Sequence, residues 1–163
     1  MQVTVRHHYD APPAAVYAML TDAAFLESLL TEAGALNHKI DVVGSRTTAT
    51  VEVAAPEAAR RFTGATLTAT LTIDWGTARP DGSHRGPITV VFEKLPAKLS
   101  GTATLSPTAT GTDTGTTVAY DADFTISIPF VGRKLEATAA PYVMRIIDAQ
   151  QPRGTAWLAE HSA

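Results

Sequence analysis

Cysteine is absent from the 163 residues, which excludes disulfides, thiolate zinc sites and cysteine nucleophiles. Charge of either sign is scarce: 13 Lys and Arg face 16 Asp and Glu, for a formal net charge of −3. No Lys/Arg run is longer than the pair Arg60-Arg61. The positive stripe of a nucleic-acid binder is therefore missing, and no nucleic-acid partner is expected. Apolar runs fall far short of the ~20 residues of a membrane-spanning helix. The N-terminus has no apolar h-region; Val3, Val5, His7 and Tyr9 alternate there with Thr4, Arg6 and His8 as in a strand. Integral membrane association is not expected, and the chain reads as cytoplasmic. Catalytic signatures are missing too. There is no Gly-x-Ser-x-Gly elbow and no His-Glu-x-x-His. The stretch Gly111-Thr-Asp-Thr-Gly-Thr-Thr117 lacks the Lys and the spacing of a P-loop.

What is present is strand pattern. Apolar residues make up 45% and charged residues 18%, an ordinary globular balance. Threonine occurs 24 times, often at alternate positions, and suits the wet face of a half-buried strand. Residues 2–9 form the first strand. Asp10-Ala-Pro-Pro13 ends it, with Asp10 expected to cap a helix whose first turn holds a proline. Val16, Met19 and Leu20 mark that short helix. A second, over residues 23–33, carries Phe25, Leu26, Leu29 and Leu30 and stops at Gly34.

Six further strands are expected, over residues 36–43, 47–55, 65–75, 87–93, 99–105 and 118–128. In the fourth strand of the seven, Leu67, Ala69, Leu71, Ile73 and Trp75 alternate with Thr66, Thr68, Thr70, Thr72 and Asp74, the mark of a sheet with one solvated face. Residues 107–117 are rich in Thr and Gly and read as a mobile hairpin tip. After Ile128-Pro-Phe-Val-Gly132 the period changes from two to about 3.6. Leu135, Ala139, Tyr142, Val143, Ile146, Ile147, Trp157 and Leu158 form one apolar stripe on a long helix. Pro141 and Pro152 lie inside it, and kinks or breaks are expected near residues 137–141 and 148–152. The result is an α+β chain of one domain, residues 1–163: a curved seven-stranded antiparallel sheet wrapped around a long C-terminal helix, with two short helices between strands 1 and 2.

Two stretches carry a resemblance. Val3-Thr-Val-Arg-His-His-Tyr-Asp-Ala-Pro-Pro-Ala-Ala-Val16-Tyr-Ala-Met-Leu-Thr-Asp22 resembles the opening strand, Pro-bearing loop and first helix of the START-like (SRPBCC) superfamily of polyketide cyclases and lipid transport proteins. Ile126-Ser-Ile-Pro-Phe-Val-Gly-Arg-Lys-Leu-Glu136, with the long helix after it, resembles an actinobacterial family of unknown function within that superfamily. The resemblance covers nearly the whole chain and implies a helix-grip fold with a cavity between sheet and long helix. It transfers no catalytic residue, no metal and no cofactor.

Inward alternation and the resemblance together nominate His7, Trp75, Phe92, Tyr120, Phe124, Tyr142 and Ile146 as cavity-lining residues. Hydrophobic or amphipathic small molecules, lipid or polyketide-like, are the expected ligands. Two alternatives stay open. One is a cyclase- or dehydratase-type enzyme using His7 with Tyr120, since an imidazole near neutrality suits proton transfer. The other is a protein-interaction module with a filled core. His7 and His8 are adjacent in a strand and point to opposite faces, so they cannot share one ion; a metal would need His7 with His38. Trp75 stands either at a cavity mouth or as a cap on the core. Arg60 and Arg61 are candidates for an anionic head group or a solvated pair. Asp121 and Asp123 share an outward face, which does not suit a catalytic carboxylate pair.

Overall fold

A computed structural model describes residues 1–108 and 115–161, with the side chain of Tyr142 outside the description. The chain opens with β1 (Gln2–Tyr9), α1 (Pro13–Leu20) and α2 (Ala23–Glu32). It continues through β2 (Asn37–Val43), β3 (Arg46–Ala54), a 3-10 turn (Glu57–Ala59) and α3 (Arg60–Thr63). Strands β4 (Thr66–Asp74), β5 (His84–Phe92), β6 (Ala97–Pro107) and β7 (Thr116–Ile126) follow, and α4 (Gly132–His161) closes the structure. The seven strands form one open antiparallel sheet in the order β1-β7-β6-β5-β4-β3-β2, the α+β helix-grip arrangement.

The period-two pattern accounts for the registers. Val3 stands opposite Ala122, Val5 opposite Tyr120 and His7 opposite Val118, so the inner face of β1 continues that of β7. Leu71 pairs with Val90, Val90 with Leu99, and Leu99 with Phe124, a single apolar row crossing four strands. Pro87 lies inside β5, yet β4 pairing stops at Ile88, so its missing N–H is tolerated. Gly101 in β6 faces the chain so closely that an added Cβ would meet the Asp121 carbonyl; only glycine fits that approach.

The helix starts differ in mechanism. Asp22 caps α2, accepting from the amides of Ala24 at 2.8 Å and Phe25 at 3.4 Å, as its residue type favours. Asp10 does not cap α1. The N-cap is Pro12, without a side-chain bond, and Pro13 enters the first turn; Asp10 instead meets His8 Nε2 at 3.2 Å. Leu36, expected to open β2, lies just ahead of it and is 59% exposed. The centre of the hairpin tip expected over residues 107–117 lies outside the described residues.

Helix α4 runs unbroken through both Pro141 and Pro152, so neither proline ends it. Each ring removes one N–H from the ladder, which deprives the carbonyls of Ala137 and Asp148 of their usual partners. The helix packs on β1, β7, α1, α2 and the 3-10 turn. Leu135, Ala139, Val143, Ile147, Trp157 and Leu158 are half-buried against the core. Burial is uneven beneath it. The inward residues of β1 and β7, from Val3 to Tyr9 and from Thr116 to Ile126, are all buried. On β3 to β5, Val51, Ala69, Leu71, Val90 and Phe92 share the inner face with buried Ala49, Leu67, Ile73 and Ile88 but remain half-exposed. No single helix among the described residues is long and apolar enough to cross a membrane.

Candidate functional site

His7 and Tyr120 come together. Their strands are neighbours, and the two rings meet edge-on with centroids 6.2 Å apart. Gln150 of α4 joins them: its Oε1 lies 3.1 Å from His7 Nδ1 and accepts the Tyr120 hydroxyl at 3.0 Å. Tyr9 donates to the Gln150 carbonyl at 3.4 Å and turns its ring edge to His7 at 6.4 Å. Gly154, one turn beyond Gln150, admits the Tyr9 ring; a Cβ there would stand 2.7 Å from Tyr9 Cε1.

This cluster is neutral near pH 7. Burial holds the His7 imidazole below its ordinary pKa, against the opposing effects of the Gln150 bond and the Asp148 carboxylate. Burial likewise pushes the Tyr120 hydroxyl up to about 12, with Gln150 opposing, and pushes Tyr9 up as well, with Tyr120 adding to the effect. An amide oxygen only accepts, so a Gln150 Oε1 contact with His7 Nδ1 puts the imidazole proton on Nδ1. Nε2 is then a bare acceptor. It is buried, has no hydrogen-bond partner, and lies 4.0 Å from Asp148 Oδ1.

The other nominated residues separate into groups. Trp75 is 1% exposed, 6.5 Å from the Tyr120 ring, and its indole N–H has no partner. The hydroxyl of inward Thr47 is similarly buried and unpartnered. Phe92 and Phe124 pack edge-on at 6.1 Å. Ile146, expected toward the sheet, is instead 44% exposed: the inner stripe runs through Val143, Ile147, Gln150 and Gly154, and residue 146 lies about 100° around the helix from 147. Tyr142's side chain lies outside the described residues.

Two surface hollows are lined by described residues. One, of about 640 Å³, lies between β1 and α4 and is lined by Arg6, His7, Asp148, Gln151, Pro152, Thr155, Ala156 and Ala159. The other, of about 470 Å³, is lined by Ala24, Glu27, Ser28, Thr31, Glu32, His38 and Arg153. Of the nominated residues whose side chains are described, only His7 lines either one. His38 is held by Glu27 at 3.2 Å and does not join His7. Arg60 donates to the Ala55 carbonyl at 3.1 Å, and the Arg61 guanidinium lies 4.8 Å from the Phe62 ring centroid. Arg6 pairs with Asp121 at 3.3 Å on the outer face. Among the described residues, no group of three or more His, Asp or Glu is placed to hold a metal.

Sequence reasoning missed Gln150, Asp148 and Gly154. The signal was available: Gln150 and Gly154 occupy positions of the inner stripe that an apolar residue would otherwise fill. A polar residue on such a stripe points to a buried partner.

A family model described as a protein of unknown function, DUF2505, matches residues 4–158. No curated protein matches the chain. A Thermus thermophilus protein, TTHA0849, has a similar structure at 17% identity, with all of both chains covered and a TM-score of 0.67. ZhuI aromatase/cyclase from a Streptomyces species is similar at 12% identity, covering 94% of this chain and 93% of that one, with a TM-score of 0.60. Norcoclaurine synthase from Thalictrum flavum, solved with dopamine and hydroxybenzaldehyde, is 13% identical, covering 100% and 90%, with a TM-score of 0.59. At these identities the likeness establishes the fold alone.

Proposed function

As the chain belongs to the DUF2505 family of proteins of unknown function, its own residues must carry a reading, and we propose that residues 1–163 form one domain binding a hydrophobic or amphipathic small molecule between sheet and α4. One observation carries this. Val51, Ala69, Leu71, Val90 and Phe92 lie on the inner face, yet solvent reaches them, while the same face on β1 and β7 is buried. A half-wet apolar floor gains free energy when an apolar ligand displaces that water, by about 25 cal/mol per Å² covered. Trp75 Nε1–H and Thr47 Oγ1 are unpartnered polar atoms on the same side, able to orient a ligand's polar end. The folds of ZhuI aromatase/cyclase and norcoclaurine synthase lend analogy.

Binding is preferred to catalysis. His7 and Tyr120 do meet, but both are engaged by Gln150, and His7 lines the β1–α4 hollow. The test is native mass spectrometry of freshly purified protein, with denaturing extraction of whatever accompanies it. A co-purifying lipid or aromatic metabolite, lost in Val90→Trp, is the expected result. A clean apo mass, with no thermal shift across fatty acids and aromatic polyketides, overturns the reading.

A further inference from the structure

The hollow between β1 and α4 has a chemistry of its own. Several of its polar side chains bond within the protein. The Gln151 amide nitrogen faces the His8 carbonyl at 3.4 Å, and the Thr155 hydroxyl donates to the Gln151 carbonyl at 2.9 Å. The Arg6 guanidinium turns to Asp121 and to the Val5 carbonyl. Two acceptors stand beside them. His7 is 2% exposed, and its Nε2 lone pair has no partner. Asp148 Oδ1 stands 4.0 Å from it, a separation that one ammonium nitrogen spans with two N–H groups of ordinary hydrogen-bond length. The Asp148 carbonyl is also deprived of its ladder partner by Pro152, which lines the hollow. Pro152, Ala156 and Ala159 supply a small apolar wall. A buried acceptor beside a carboxylate calls for a donor with positive charge.

We propose that this hollow is a second binding site, separate from the sheet–helix interior, for a small organic cation: an ammonium group bridging His7 Nε2 and Asp148, with a short apolar body against Pro152 and Ala156. The volume of about 640 Å³ suits such a ligand. The tautomer is a built part of the site, because Gln150 fixes the proton on Nδ1.

The test uses the full chain and benzylammonium, with benzyl alcohol and benzoate as comparators. Long-range nitrogen–proton NMR at pH 7.5 reads both His7 nitrogens. The expected result is an unprotonated Nε2 in the free protein, moved by benzylammonium, moved less by the alcohol and unmoved by benzoate. Asp148→Asn, at a side chain 63% exposed, is expected to keep the fold and weaken benzylammonium about tenfold, the loss of one charge-assisted bond. A protonated Nε2 in the free protein overturns the proposal. So does an Nε2 signal unmoved at saturating benzylammonium, or equal affinity in Asp148→Asn. None of these readouts depends on the ligand of the interior.

Discussion

Gln150 is one side chain carrying two buried donors. Gln150→Leu leaves the Tyr120 hydroxyl and His7 Nδ1–H without their acceptor, and each such orphan costs about 1–3 kcal/mol. A loss of at least ~2 kcal/mol is expected, measured as a lower urea midpoint with an unchanged slope. His7 adds a pH dependence of definite sign. Its folded pKa is depressed by burial, so the unfolded chain takes up the proton first. The His7 contribution is complete above the unfolded value of ~6.5 and is lost as pH falls from there through the folded pKa. Urea midpoints between pH 7.5 and 5.5 should drop in the wild type and drop less in His7→Asn. Asp74 and Asp81, whose carboxyls are held low by Ser45 and Ser83 respectively, act in a separate and more acidic window.

At the scale of the element, α4 carries opposed features. Pro141 interrupts a helical ladder that continues on both sides, and a mid-helix proline is disfavoured by ~3 kcal/mol relative to Ala. Pro141→Ala should therefore raise the urea midpoint, by less than that figure because proline also restricts the unfolded chain. Gly154→Ala should do the reverse despite alanine's better helix propensity: the new Cβ would stand 2.7 Å from Tyr9 Cε1 and 3.0 Å from Met19 Cε. Overpacking of this kind costs about 1–3 kcal/mol, read in the same experiment. The elements themselves were largely legible. Alternation gave all seven strands because one face is buried and the other wet, and the change of period located α4. Capping and faces were less legible. Asp10 resembled an N-cap, but Pro12 and Pro13 set the backbone without it. Ile146 resembled a stripe residue because i, i+3 and i+4 spacing admits more than one centre line, and only packing against β1 and β7 chooses between them. The His7–Tyr120 pairing rested on strand neighbourhood, whereas Gln150 came from an element whose rotation the pattern left open.

Across the whole molecule, stability should be graded. The strands β6 and β7 lie inside the sheet and bury Leu99, Ala103, Leu105, Val118 and Phe124. The opposite edge, β2, has only half-buried or exposed residues, with Val43 68% exposed. Hydrogen exchange is expected to protect β6 and β7 amides longest and to release β2 first. High pH tests the interior as a unit. The pKa values of Tyr9 and Tyr120 are raised by burial, so the unfolded chain ionises first above ~10. Stability should decline from there, and the ultraviolet titration of these two phenols should follow unfolding.

The pairing of β1 with β7, Val3 opposite Ala122 and Tyr9 opposite Thr116, also sets an order of events during synthesis. At translation speeds of ~5–20 residues per second, β1 waits roughly 5–20 seconds for its neighbour β7. Until then its Val3, Val5 and Tyr9 side chains have no inner face to complete, and α4, made after β7, has no finished sheet to lie across. Such distant pairing makes for slow folding, and it leaves the apolar side of β1 uncovered in the nascent chain until β7 has emerged.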